Sequence, residues 1–188
     1  IFIDAKTAFT YEVYFNNEFV YSTVVNGAKT GAVTIPEGLS RDYVELTADK
    51  QTITSLPATV RINATWTAPM KVATPTDTTW YNLKVSNQPR WVSSGNYTPN
   101  VYFIDETYIT TDYALWALTG NPYSGFRLIN KAMGPTMVLA SASPKGSAKA
   151  GGNTYATLLP ADNLPAGYTS DWTVTISPND DEGFYICN

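Results

Sequence analysis

Apolar and polar residues alternate along the start of the chain with the period of a β-strand. Thr10-Tyr-Glu-Val-Tyr-Phe15 and Glu18-Phe-Val-Tyr-Ser-Thr-Val-Val25 flank Asn16-Asn17. Successive side chains of a strand point to opposite faces, so Tyr11, Val13 and Phe15 share one face. Asn tolerates positive φ, and Asn16-Asn17 therefore predicts the tight turn of a hairpin. Asn26-Gly27 is a further turn signal. Ala32-Val-Thr-Ile35 leads into residues 36–42, which read as one helical turn or a loop. Strands are expected at 43–47 and 52–55, with a loop between them. The longest strand of this half follows Pro57, at Thr59-Val-Arg-Ile-Asn-Ala-Thr-Trp66, and places Val60, Ile62, Ala64 and Trp66 on one face. Short strands separated by turns at this spacing predict a β-sandwich over residues 1–68.

Residues 69–79 are rich in Pro and Thr and read as a linker. Beyond them the pattern repeats. Trp116 opens an alternating segment, a Pro-containing polar turn follows, and Phe126-Arg-Leu-Ile-Asn130 forms a short apolar strand. Trp172, the turn at Pro178 and Phe184-Tyr-Ile-Cys-Asn188 repeat this order at nearly the same spacing. Units are expected to open at Trp80, Phe126 and Phe184. The first holds apolar segments at 80–85, 91–93, 101–104 and 113–118. The second holds segments at 126–130, 137–140, 154–159 and 172–176, with a mobile loop over 141–153. Four short strands and an aromatic opener per unit describe the foil of a β-trefoil. Two units and the start of a third make no β-propeller. The expected fold class is all-β, an N-terminal β-sandwich followed by a C-terminal β-trefoil over 80–188 whose third foil is truncated.

Composition strengthens the all-β reading. The 188 residues are 44% hydrophobic and include 13 Tyr, 7 Phe and 5 Trp. Aromatic and β-branched side chains suit a pleated, half-buried surface. The net charge of −4 argues against nucleic acid or an acidic membrane surface as partner, since both need a basic patch. The longest apolar runs fall far short of the roughly 18 residues of a membrane-spanning helix. The sequence begins at Ile1 within an apolar run and reads as a processed or trimmed piece. No His is present, which excludes His-based triads and His-ligated zinc. The single Cys187 excludes an internal disulfide and is expected as a small buried apolar residue.

From Trp80 onward the chain resembles the ricin-type β-trefoil lectins, and is most similar to divergent versions found in secreted or surface proteins of gut Bacteroidetes. The resemblance rests on Trp80-Tyr-Asn-Leu, on Tyr113-Ala-Leu-Trp-Ala-Leu-Thr-Gly-Asn-Pro-Tyr-Ser-Gly-Phe-Arg-Leu-Ile-Asn-Lys-Ala-Met-Gly134 and on Ser170-Asp-Trp-Thr-Val174. In that family a Gln-x-Trp motif ends each foil. Here the matching positions read Ala114-Leu115-Trp116 and Ser170-Asp171-Trp172, which keep the Trp and lack the Gln. Residues 1–68 resemble, by pattern, the immunoglobulin-like sandwich modules that precede such trefoils. The resemblance implies a secreted or cell-surface accessory module that binds glycans or polysaccharide, alone or beside other domains of a longer chain. It implies no catalytic residue, no metal and no cofactor. The alternatives are a structural or adhesive spacer and a non-catalytic fragment of a larger hydrolase.

Sugar rings stack their C–H faces on aromatic rings, and amides and carboxylates bind their hydroxyls. Trp91 and Tyr97, with Asn96, Asn100 and Asp105, are therefore the candidate sugar site. The competing role for Trp91 is to fill the barrel cap. Trp80, Trp116, Phe126, Trp172 and Phe184 mark the repeats and are expected to pack in the core. The clusters Asp105-Glu106 and Asp180-Asp-Glu182 admit a glycosidase pair or hard-cation ligands, but neighbouring acids in a turn more commonly form a solvated face. Asn63-Ala-Thr65 and Asn96-Tyr-Thr98 fit the glycosylation acceptor pattern, as chance matches in a bacterial chain.

Overall fold

The computed structural model describes residues 8–85, 88–95, 98–142, 156–176 and 184–187. Among them the regular elements are β-strands and three short 3-10 turns, so the chain is all-β. The expected strand at 1–3, most of the loop at 141–153 and Asp180-Asp-Glu182 lie outside the described residues. Two compact units are present. The first takes in residues 1–69 and 121–124, the second 70–120 and 125–188.

The first unit holds β1 (Phe9–Phe15), β2 (Glu18–Val25), β3 (Gly31–Ala32), β4 (Val44–Ala48), β5 (Thr52–Ile53) and β6 (Ala58–Trp66). A four-stranded sheet has the order β2-β1-β6-β4, and β3 pairs with β5 in a second, small sheet. β1 runs parallel to β6 and antiparallel to β2. The β1–β2 turn is tight because Asn16 and Asn17 both adopt positive φ, 51° and 66°. That geometry matches the right-handed twist of the flanking strands. The period of two sends Phe9, Tyr11, Val13 and Phe15 to one buried face. Across the parallel ladder Tyr11 meets Val60, Val13 meets Ile62 and Phe15 meets Ala64, all buried. Leu39, from the 3-10 turn Glu37–Leu39, completes this core with Ile53. Tyr123 also belongs to this unit. Its hydroxyl donates to Leu39 O at 2.8 Å, its ring stacks on Tyr21, and the Arg41 guanidinium lies 4.9 Å from its ring centre.

The second unit holds β7 (Trp91–Gly95), β8 (Thr98–Ile104), β9 (Trp116–Asn121), β10 (Gly125–Asn130), β11 (Gly134–Ala142), β12 (Ala156–Pro160), β13 (Tyr168–Thr169), β14 (Thr173–Ile176) and β15 (Phe184–Cys187). Its main sheet has the order β7-β8-β12-β11-β10-β9, with β13 added on β11, and β14 pairs with β15. The stretch expected as a linker joins this unit from Met70 onward. Met70 is buried, and Ala73 N donates to Leu118 O at 2.7 Å. Residues 80–85, expected as a strand, make only single bridges, Tyr81 to Trp116 and Lys84 to Trp91. Residues 105–115 turn twice in 3-10 geometry, at Glu106–Tyr108 and Asp112–Ala114.

Trp116 and Phe126 are fully buried. Trp80 packs from the periphery against Ala117, Ile129 and Val138. Trp172 and Phe184 are half-buried. Tyr81 and Trp116 exchange backbone hydrogen bonds of 2.8 and 2.9 Å, and Phe126 and Trp172 exchange a pair of the same lengths. In the second repeat the expected opener, Phe126, is thus tied to the closing Trp172; in the first the tie is made by Tyr81, one residue after the expected opener Trp80.

Asn130 is completely buried and fully satisfied. Its amide donates to Tyr113 O at 2.8 Å and Leu115 O at 3.2 Å. Its carbonyl accepts from Ser94 Oγ at 3.0 Å and Ala132 N at 3.2 Å. Cys187 departs from expectation: it lies in a strand but is exposed. It ends β15, whose ladder among the described strands is with β14 alone.

Candidate ligand-binding site

The β7–β8 hairpin carries the described residues of the expected sugar site. Its register pairs Trp91 with Ile104 and Ser93 with Tyr102. Residues paired across a ladder project to the same side, so Trp91, Ser93, Tyr102 and Ile104 share one face. Asn100 reaches that face through an irregularity between Ser94 and Gly95, and its Nδ2 lies 3.3 Å from the Tyr102 hydroxyl. Tyr102 is therefore flanked by Asn100 on its own strand and by Trp91 as a diagonal neighbour on the next, about 7–8 Å away by strand geometry.

The register sets two of the expected residues, Trp91 and Asn100, on one face but at its two ends, with Tyr102, a ring that the sequence reading did not select, between them. Asp105 follows the end of β8. Its carboxylate is engaged by the Arg90 guanidinium at 2.7 Å, with both side chains largely in solvent. Such an exposed pair contributes about 0–1 kcal/mol and leaves Asp105 near the rim of the face. Asn96 and Tyr97 lie outside the described residues. Trp91 is half-buried, with the Lys84 ammonium 5.9 Å from its ring centre. Part of the indole is thus packed and part remains open.

Among the described residues β8 pairs with β12 at Asn100 opposite Thr157. Val101, the next residue along β8, is buried. Tyr102 is left 49% exposed and Phe103 57% exposed on opposite faces, and Tyr108 in the following turn is 59% exposed. In sequence, Val101-Tyr-Phe-Ile104 is a continuous apolar run and reads as a buried strand. The Asn100–Tyr102 spacing of two residues was the one available sign of a shared face.

The face offers an aromatic plane, an amide with a donor and an acceptor, and an edge of indole. It offers no nucleophile–base pair. Among the described residues no group of three His, Cys, Asp or Glu is placed to hold a metal ion. Likewise, no helix among them is long and apolar enough to cross a membrane. Comparison with protein-family models, with curated proteins and with solved structures gives no match.

Proposed function

We propose that this chain is a non-catalytic glycan-binding module of a secreted or cell-surface protein. In this reading residues 1–68 form an immunoglobulin-like sandwich, and residues 80–188 the first two foils and the opening of the third of a ricin-type β-trefoil. The observation that carries the proposal is the exposed Tyr102 ring with the Asn100 amide beside it and Trp91 diagonally across. Stacking of sugar C–H faces on the tyrosine supplies affinity, while the amide selects among hydroxyl arrangements. The absence of His from the whole chain agrees with a binding rather than a catalytic role.

A glycan array probed with the folded protein tests this. Binding to a defined set of glycans, abolished by Tyr102→Ala and weakened by Asn100→Ala with the circular dichroism spectrum unchanged, is the expected result. A folded protein that binds no glycan, or that binds equally well with Tyr102→Ala, contradicts the proposal.

A second reading, an adhesive module that joins protein to protein, draws on a different feature. The edge strand β2 exposes Phe19, Tyr21, Val24 and Val25.

A further inference from the structure

Among the described residues, the four-stranded sheet of the first unit ends at β2 on one side and β4 on the other. Every sheet edge presents N–H and C=O groups ready to pair with another strand, and proteins guard such edges with charge, Pro or brevity. β4 is guarded: it is five residues long, and its exposed positions are Glu45 and Thr47. β2 is eight residues long, contains no Lys, Arg, Pro or Gly, and carries its only charge on its first residue, Glu18. Val20 interrupts the ladder to β1, after which residues 21–25 pair regularly with β1. The regular part of the edge is therefore Tyr21-Ser-Thr-Val-Val25, with Tyr21, Val24 and Val25 exposed.

We propose that this edge pairs antiparallel with the same edge of a second copy of the chain, about a two-fold axis through Thr23. Residues opposed in an antiparallel ladder must project to the same side, so only positions an even number apart can face each other. Centred on Thr23, the register sets Tyr21 against Val25 of the second copy twice and Ser22 against Val24 twice, with Thr23 meeting itself. Each exposed tyrosine ring gains a β-branched neighbour, a favourable cross-strand pair. The two Glu18 carboxylates fall outside the paired run at opposite ends, about 30 Å apart, so no like charges meet. A neutral, self-complementary edge suits a copy of itself better than a charged partner. The result is one continuous sheet made from two four-stranded sheets and bounded on both sides by the guarded β4, which closes the assembly at a dimer.

Sedimentation velocity of the full chain across the micromolar range tests the proposal, together with two variants. The expected result is a concentration-dependent doubling of mass, with Val24→Lys raising the dissociation constant at least about tenfold. In a Cys187→Ser background, Thr23→Cys is expected to cross-link to itself on oxidation. Ser22→Cys, which faces Val24 rather than its own copy, is not. A chain that stays monomeric throughout overturns the proposal. So does a dimer that is insensitive to Val24→Lys and gives no Thr23→Cys cross-link.

Discussion

Trp116 and Trp172 hold the same bond in two places. Each indole Nε1 donates to a backbone carbonyl at 2.8 Å, Val92 O for Trp116 and Leu139 O for Trp172. Each Trp also exchanges a backbone pair with an aromatic at the start of its own repeat: Phe126, the expected opener, for Trp172, and Tyr81, one residue after the expected opener Trp80, for Trp116. Two independent contacts thus align Tyr81 with Phe126, Val92 with Leu139 and Trp116 with Trp172. A large ring at the close of a repeat fills the interior, and its single N–H, which is costly to bury unpaired, finds a carbonyl on the repeat's second strand. The copies are unequal in depth, since Trp116 is fully buried and Trp172 half-buried.

Gly125 is, with Gly120, one of two tight points among the described glycines of the second unit. Its φ is +97°, and a Cβ built there would lie 2.7 Å from Asp171 Cβ and 3.3 Å from Asp171 Cα. Gly134 also has positive φ, +84°, but opens onto free space. Alanine at Gly134 is expected to cost about 1–2 kcal/mol, the strain of left-handed backbone alone. Alanine at Gly125 adds a clash with backbone and is expected to cost at least about 1 kcal/mol more. Urea denaturation of the two variants, compared at unchanged m-value, checks the difference.

Asn130 joins β10 to the turn before β9 through four hydrogen bonds with no exposure to water. Asn130→Ala removes four hydrogen bonds; Tyr113 O and Leu115 O keep the Ser94 hydroxyl at 3.4 Å and Lys131 N at 2.9 Å, while Ala132 N loses its side-chain acceptor. It is expected to destabilise the second unit by about 2–4 kcal/mol, at about 0.5–1.5 kcal/mol for each bond lost and with relaxation offsetting part. Ser94→Ala, which removes one donor to the same amide, is expected to cost about 1 kcal/mol. Thermal or chemical denaturation should rank the two in that order.

Tyr11 adds a pH dependence to the first unit. Its hydroxyl donates to Thr34 O at 2.6 Å, and burial raises its pKa above the ordinary 10.0. A raised folded-state value means that folding favours the neutral phenol. Its contribution is fully present below pH 10.0 and is lost as pH rises through the folded-state value. Tyr123 shifts the same way through burial, with Arg41 pulling partly back. Stability measured from pH 8 to 11 is expected to fall above pH 10, and Tyr11→Phe to fall less steeply. The variant should also be about 1 kcal/mol less stable at neutral pH, for want of the bond to Thr34.

The sequence was most legible where local rules decide the outcome. Asn16-Asn17 marks a turn of positive φ, and the alternation of Tyr11, Val13 and Phe15 was enough to orient β1. Val60, Ile62 and Ala64 did the same for β6. It was least legible where partners far along the chain decide. Residues 80–85 read as a strand, but they form only isolated bridges at Tyr81 and Lys84, with backbone bonds joining Leu83 to Val92 and Val85 to Arg90 beside the second. Tyr102 and Phe103 sit in an apolar run yet are exposed, which no local pattern records. Cys187 is apolar by type, and its exposure depends on what lies over β15. Of the expected site, Trp91 and Asn100 were placed on a common face, while Tyr102 between them emerged only from the ladder register.

Equivalence of the two tryptophans is the claim on which the repeat reading rests, and with it the lectin resemblance. Hydrogen exchange at the indole N–H groups, followed by two-dimensional ¹H–¹⁵N spectra in D₂O, measures it directly. The Trp116 and Trp172 indole signals, assigned from Trp116→Phe and Trp172→Phe variants, should both persist after fully solvated indoles have exchanged, with Trp116 the slower. Loss of both signals at the rate of a free indole would show that neither bond exists and that the matching geometry is no repeat.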